Sequence, residues 1–203
     1  VYEDAMADYA EIETALDEII GTGSKYFNTL NFKRNALTFV PNKNGSATRH
    51  GVKGNWLVPS IPALSSKTLR AAKHSNDWFT YENGTITTPF YTAKLNFDGS
   101  FSSLFDNELC REWTDGDFNK LKIYTDNPGN YDAWDILPNY KVKQIEIKVD
   151  EPLAICEQDG ESVTFKTVLS TEKSKWTMLV RFFRQSRGIE VENQVSWHEQ
   201  HRL

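Results

Sequence analysis

Over the first twenty residues the apolar positions recur at helical spacing. In "VYEDAMADYAEIETALDEIIGTG" the residues Ala5, Tyr9, Ile12, Leu16 and Ile19 step by four, three, four and three, which lines one face of a helix. Acidic residues fill the opposite face, and Gly21 with Gly23 supplies a stop. Such a helix is not stable alone, so its stripe must dock on a β core or on another part of a parent protein.

After residue 25 the period changes to two. "NALTFVP", "GNWLVPSIPA", "KTLRAA", "WFTYENGTITTPFYTAKLNFDGSFSSLFD", "KLKIYTD", "KVKQIEIKV", "LAICEQDGESVTFKTVLS" and "WTMLVRFFRQSRGIEVENQVSW" alternate and are rich in Val, Ile, Thr, Phe and Tyr. Asn44-Gly45, Asn83-Gly84, Asp98-Gly99, Asp159-Gly160 and Arg187-Gly188 stand between these runs, dipeptides that tolerate positive φ in tight hairpins. No later stretch carries a ten-residue helical pattern. The pattern predicts a mainly β chain, an antiparallel sandwich with one N-terminal helix. Asn44 in "NGS" and Asn83 in "NGT" also match glycosylation acceptors, but a hairpin turn followed by a β-forming residue explains both.

Composition narrows the function classes. The chain has 203 residues, 39% hydrophobic and 25% charged, enough to bury a single large core. A net charge of -5, without a run of five like charges, gives no basic face for nucleic acid or an anionic membrane. No apolar run is long enough to cross a membrane, and the N-terminus lacks a signal-peptide pattern. The absence of an initiator methionine and the abrupt end at "SWHEQHRL" read as a piece of something longer. Cys110 and Cys156 are far apart without a CxxC or Cys/His pattern, and they read as two buried thiols rather than a disulfide.

The stretch with most chemistry is "NPGNYDAWDILPNY" (Asn127 to Tyr140), where Asp132 and Asp135 bracket Trp134. A retaining glycosidase needs its two carboxyls about 5–5.5 Å apart and an inverting one about 6.5–9.5 Å. On a strand, residues three apart point to opposite faces, roughly 10 Å apart along the chain. In a turn they come closer, but both then sit in water and neither pKa rises. The two aspartates therefore do not read as a catalytic pair. A polar, aromatic-flanked surface that meets a sugar or another domain fits better, beside the plainer reading of a buried Trp134 with aspartates accepting backbone hydrogens in the loop.

"VSWHEQHRL" places His198 and His201 around Glu199, but only Gln200 separates the glutamate from the second histidine, and on a strand the two rings face apart. Of the four histidines (His50, His74, His198, His201) none has an obvious carboxylate partner, and neither a nucleophile elbow nor a phosphate-cradling glycine pattern is present. With six Trp and eight Tyr, the remaining signal is aromatic: Trp56, Trp78, Trp113 and Trp134 in turn-rich stretches suit stacking on sugar rings, with core packing as the plainer account of each.

Five stretches, in order, resemble the C-terminal half of glycoside hydrolase family 38, the zinc-dependent retaining α-mannosidases. They are "YFNTLNFKR" (Tyr26 to Arg34), "VPSIPAL" (Val58 to Leu64), "FDGSFSSLFDNELCREW" (Phe97 to Trp113), "YTDNPGNYDAWDI" (Tyr124 to Ile136) and "VSWHEQHRL" (Val195 to Leu203). The chain departs from the family's pattern at Tyr131, where a Trp is common, and at Leu64-Ser65-Ser66. The resemblance implies a supersandwich of the galactose-mutarotase type, spanning residues 25–203 and cut short at its C-terminal end. Residues 1–24 would be the last helix of a preceding helical domain.

The zinc ligands and both catalytic carboxylates of that family lie in an N-terminal barrel and the start of the helical region. The resemblance therefore implies no catalytic residue, no metal ligand and no cofactor in this chain, which would be inactive alone. Zinc would sit in the parent's catalytic domain. The partners implied are an α-mannoside glycan and the parent's barrel and helical domain, with Tyr131, Asp132, Trp134 and Asp135 contacting substrate. The competing reading is a non-catalytic carbohydrate-binding sandwich, or a mutarotase-like enzyme on the same fold. Unpaired cysteines point to a cytoplasmic, bacterial protein.

Overall fold

A computed structural model describes residues 2–20, 25–68, 75–129, 131 and 134–203. Asp132, His74, Gly21 and Gly23 lie outside the described residues, as do the Ile19 side chain and "KTLRAA" beyond Thr68. The chain opens with α1 (Tyr2–Ile20), β1 (Lys25–Asn28), β2 (Thr38–Pro41), β3 (Ala47–Arg49), β4 (Val52–Leu57) and β5 (Ser65–Thr68). Next come β6 (Thr80–Glu82), β7 (Thr85–Thr87), β8 (Tyr91–Leu95), β9 (Phe101–Asp106), β10 (Arg111–Glu112) and β11 (Ile123–Tyr124). A 3-10 turn (Tyr140–Val142) precedes β12 (Gln144–Ile145), β13 (Lys148–Gln158), β14 (Ser162–Ser170), β15 (Lys175–Phe183) and β16 (Glu190–Ser196). The chain is mainly β with one long helix, as its periodicity predicts. No helix among the described residues is long and apolar enough to cross a membrane.

Two compact units divide the chain: residues 1–36 with 57–71, and residues 37–56 with 72–203. The strands β1 and β5 thus group with the helix, although the sequence places a boundary at residue 24. In the first unit β1 pairs antiparallel with β5 from Lys25↔Thr68 to Asn28↔Ser65. Buried Asn28 ties the unit together. Its amide donates to the carbonyls of Phe32 (2.8 Å), Ile61 (3.1 Å) and Pro62 (2.9 Å), and its Oδ1 accepts from the Leu30 N–H (3.1 Å). "YFNTLNFKR" and "VPSIPAL" are thereby joined by one side chain. The helix stripe expected to dock is exposed at Tyr9, Ile12 and Leu16.

The second unit is a layered sandwich. A five-stranded sheet in the order β10-β9-β8-β7-β6 faces a four-stranded meander β13-β14-β15-β16. Strand β15, "KWTMLVRFF", shows how the sequence selects the layers. Trp176, Met178, Val180 and Phe182 point into the core shared with Ile86, Ala93 and Phe101 of the other sheet. Each buried apolar side chain of this kind contributes roughly 1.5–3 kcal/mol. Antiparallel register with β14 sets Phe165 opposite Val180 and Val163 opposite Phe182. At the meander's free edge, β13 carries Pro152 and three register shifts, which blunt it against pairing with another chain.

Two odd positions near the end of β15, Arg181 and Phe183, are buried as well, because a third sheet, β2-β4-β3, covers that part of the meander's outer face. Trp56 packs edge-on between Phe39 and Phe183 there. Arg181, with no exposed surface, crosses between the sheets. Its Nε donates to Thr164 Oγ1 (3.0 Å), one terminal nitrogen to Glu190 (2.5 Å) and the other to the Thr48 carbonyl (2.7 Å), while its guanidinium lies over Trp56. Glu157 accepts from both the N–H (2.9 Å) and the hydroxyl (2.6 Å) of Thr48.

The turns correct part of the sequence reading. Asn83-Gly84 makes the expected two-residue hairpin, with φ of 50° and 75°. Asn44-Gly45 does not close a hairpin, since β4 lies between β2 and β3. The hairpin is made by His50-Gly51, with φ of 47° and 76°. Gly45 answers a different need: a Cβ there would stand 2.1 Å from the Gly54 carbonyl oxygen, so only glycine lets the backbones approach.

"FDGSFSSLFDNELCREW" is likewise architectural. Buried Asp106 accepts from the Glu108 (3.0 Å) and Leu109 (2.9 Å) N–H groups and the Trp113 indole (3.2 Å), and pairs with Arg187. Burial opposes its ionisation, but these donors and the Arg187 charge together hold its carboxyl below the usual carboxylate range. Glu112 accepts from the Ser103 hydroxyl (2.6 Å), the Leu104 N–H (2.7 Å) and Thr114. That set, led by the Ser103 bond, lowers its pKa to about 2.

Candidate functional site

The candidate site is the excursion between β11 and β12, and it is fastened at its root. Tyr124 exchanges backbone hydrogen bonds with Leu203 (2.8 and 3.0 Å), the Thr125 N–H donates to the Lys143 carbonyl (2.9 Å), and the Asp126 N–H to that of His201 (2.9 Å). The buried Asp126 carboxylate then accepts from the Leu137 N–H at 3.0 Å, which closes the loop across its neck. At the tip the Tyr131 carbonyl accepts from both Trp134 (2.7 Å) and Asp135 (2.8 Å) N–H groups. Tyr131 sits at φ 55° after Gly129 at φ 79°, so the chain reverses sharply there.

This turn brings together three of the four side chains expected to meet substrate. Tyr131 is 76% exposed and Trp134 88%, with Asp135 exposed beside them. The fourth, Asp132, lies outside the described residues. Trp134 is not the buried ring of the plainer account. Its large apolar face stands in water on a braced turn next to a carboxylate, the combination that suits the flat face of a pyranose and its hydroxyls.

A cavity of about 330 Å³ at the loop's base, lined by Thr125, Asn127, Leu137, Asn139, Tyr140 and Lys143 among others, has no counterpart in the sequence reading. Tyr140 stands edge-on to Tyr124 (5.4 Å between centroids). Its signal was the pair of Asn-Pro and Pro-Asn dipeptides bounding the same stretch, which mark where the loop turns back on itself.

Other candidates resolve differently. Trp56 and Trp78 are buried, so core packing accounts for them, while Trp113 is half exposed and bonded to Asp106. His50 does have a carboxylate partner, Glu192 at 3.5 Å. That carboxylate also accepts from the His50 N–H and the Gln194 amide, so the pair braces the β3–β4 turn. The Ser196 hydroxyl lies 2.9 Å from His198 Nε2. Cys110 and Cys156 are free and both exposed, contrary to the expectation of buried thiols, because one sits in the β9–β10 turn and the other on edge strand β13. Among the described residues no group of three or more His, Cys, Asp or Glu side chains is placed to hold a metal ion.

Residues 86–203, more than half of the chain, match the family model of the glycosyl hydrolases family 38 C-terminal domain. The match takes in three of the five stretches noted in the sequence, including the whole loop from Asn127 to Tyr140. No curated protein matches the chain.

Proposed function

Since the chain belongs to glycosyl hydrolase family 38 through its C-terminal domain, we propose that it is the β-sandwich region of a retaining α-mannosidase, which forms part of the substrate cleft and cleaves nothing by itself. In a retaining mechanism one carboxylate attacks the anomeric carbon and a second protonates the leaving oxygen. Both, and the zinc that would grip sugar hydroxyls, belong to the parent's other domains in this reading. The residues of this chain bind and orient. Trp134 stacks on a sugar ring, Asp135 and Asp132 accept its hydroxyls, and Tyr131 adds a second aromatic face. Asp126 and Leu137 act as positioning residues by holding the loop's neck.

The observation that supports this reading is Trp134, 88% exposed on a turn whose Tyr131 carbonyl accepts from the Trp134 and Asp135 N–H groups. A rigid aromatic offers contact at small ordering cost. In the parent enzyme, Trp134→Ala should lower kcat/KM on an α-linked oligomannoside about ten-fold, with Asp135→Ala acting in the same direction. Unchanged kcat/KM in both variants, with folding intact by circular dichroism, would remove the loop from the substrate site.

A further inference from the structure

A second groove, sharing no residue with that loop, lies where the β6–β7 and β8–β9 turns meet the first half of β13. Its volume is about 770 Å³, within the range of small-ligand sites, and its lining includes Asn83, Lys94, Phe97, Asp98, Asp117 and Lys120. Phe97 is the anomaly. It stands at the tip of a hairpin, 78% exposed, outside the alternation that fills the core.

Its backbone is nevertheless firmly held. The Phe97 carbonyl accepts from the Leu153 N–H (2.9 Å) and the Thr167 hydroxyl (3.1 Å), the Asn96 N–H donates to the Ser100 carbonyl (2.8 Å), and the Asn119 amide donates to the Gly99 carbonyl (3.1 Å). Asp98 Oδ1 accepts from the Ser100 N–H at 3.0 Å. The tip is therefore fixed before any ligand arrives.

The charges around the groove balance: Lys94 and Lys120 against Asp98 and Asp117. Lys120 and Asp117 are paired at 2.5 Å, and that hydrogen bond, foremost, raises the lysine's pKa. The charged side chains lining the groove thus sum to zero and favour an ion of neither sign by net charge. What fits is a neutral molecule with a flat apolar face and a rim of hydroxyls. We propose that this groove is a second glycan-binding site, which takes a neutral hexopyranose with Phe97 as its stacking platform and Asn83, Asp98 and Asp117 as hydrogen-bonding partners. The choice of a mannoside as probe rests on the function proposed above; the site itself does not.

The test is titration of the protein with an α-linked mannotriose, by calorimetry or by chemical-shift perturbation, for wild type, Phe97→Ala, Phe97→Tyr and Trp134→Ala. Phe97→Ala should weaken binding about ten-fold or more, Phe97→Tyr should restore it, and Kd should hold steady between low and physiological salt. Because Phe97 is exposed, the alanine variant should keep the wild-type Tm. No binding by wild type, equal Kd for wild type and Phe97→Ala, or a Kd that weakens steeply with salt would each overturn the groove as a neutral-glycan site. The two sites separate cleanly: loss confined to Trp134→Ala removes the groove and keeps the loop. Loss confined to Phe97→Ala, with parent kcat/KM indifferent to Trp134→Ala, does the reverse.

Discussion

Trp176 and Trp134 are the same residue put to opposite use. Trp176 lies on β15, 4% exposed, where strict alternation and the register with β14 drive its ring between two sheets. Trp134 lies on a turn, 88% exposed, and its ring touches no core. Trp176 pairs with strands on both sides, whereas the Trp134 N–H donates to the Tyr131 carbonyl. A bonded backbone N–H thus does not require a buried side chain in this chain. A side chain held in place but left in water is a candidate for recognition, whereas one held and buried is a candidate for stability.

That contrast can be broken at its strongest point first. Trp176→Ala should lose about 3–5 kcal/mol, read from the urea midpoint, through lost transfer and an unfilled cavity. A loss under about 1 kcal/mol would mean that the core relaxes around the hole and that burial is a poor guide here. Arg181→Met should follow at about 2–3 kcal/mol, because it leaves the Thr48 carbonyl and Thr164 hydroxyl short of a partner and Glu190 with Arg49 alone, at 3.3 Å. If that variant instead gains stability, the ionic contact between sheets serves geometry rather than energy.

Glu112 sharpens the comparison through pH. Its folded pKa of about 2 lies below the ordinary 4.5, so its contribution is full above about pH 4.5 and vanishes as pH falls towards 2. Glu112→Gln should therefore flatten the dependence of Tm on pH in that window and leave it unaltered above. An identical slope in wild type and variant would show that the Ser103 and Leu104 bonds do not favour the charged form. The smallest effect is expected at the tip: Trp134→Ala should alter unfolding free energy by no more than about 0.5 kcal/mol. A larger loss would turn Trp134 into a structural residue.

How far these features were legible in the sequence follows from where their causes lie. The helix, the β14–β16 strands and the Asn83-Gly84 hairpin are written in local pattern and were readable. The β3–β4 hairpin was missed because a histidine supplies the first positive φ, and Asn44-Gly45 misled because Gly45 is required by the backbone of a distant strand. Arg181 occupies a position that alternation assigns to the outer face of its sheet. Nothing local announces that a third sheet will cover it.

At the loop, the sequence left strand and turn both open, and the exposure of Trp134 was not decided by its Pro, Gly and Asn residues. The cavity beneath it depends on Asp126 reaching Leu137 across eleven positions, a closure no short-range pattern encodes. In "FDGSFSSLFDNELCREW", a stretch that carries the family likeness, Asp106 and Glu112 work as turn anchors whose carboxylates accept backbone N–H groups.

The pairing of Tyr124 with Leu203 and of Asp126 with His201 gives the loop between β11 and β12 an unusual mechanical dependence. Its footing is a rung shared with residues almost eighty positions later, so the base of the loop is held from behind by residues 201–203. A pull on residues 201–203 would load the base of that loop with no change to the residues proposed to meet sugar.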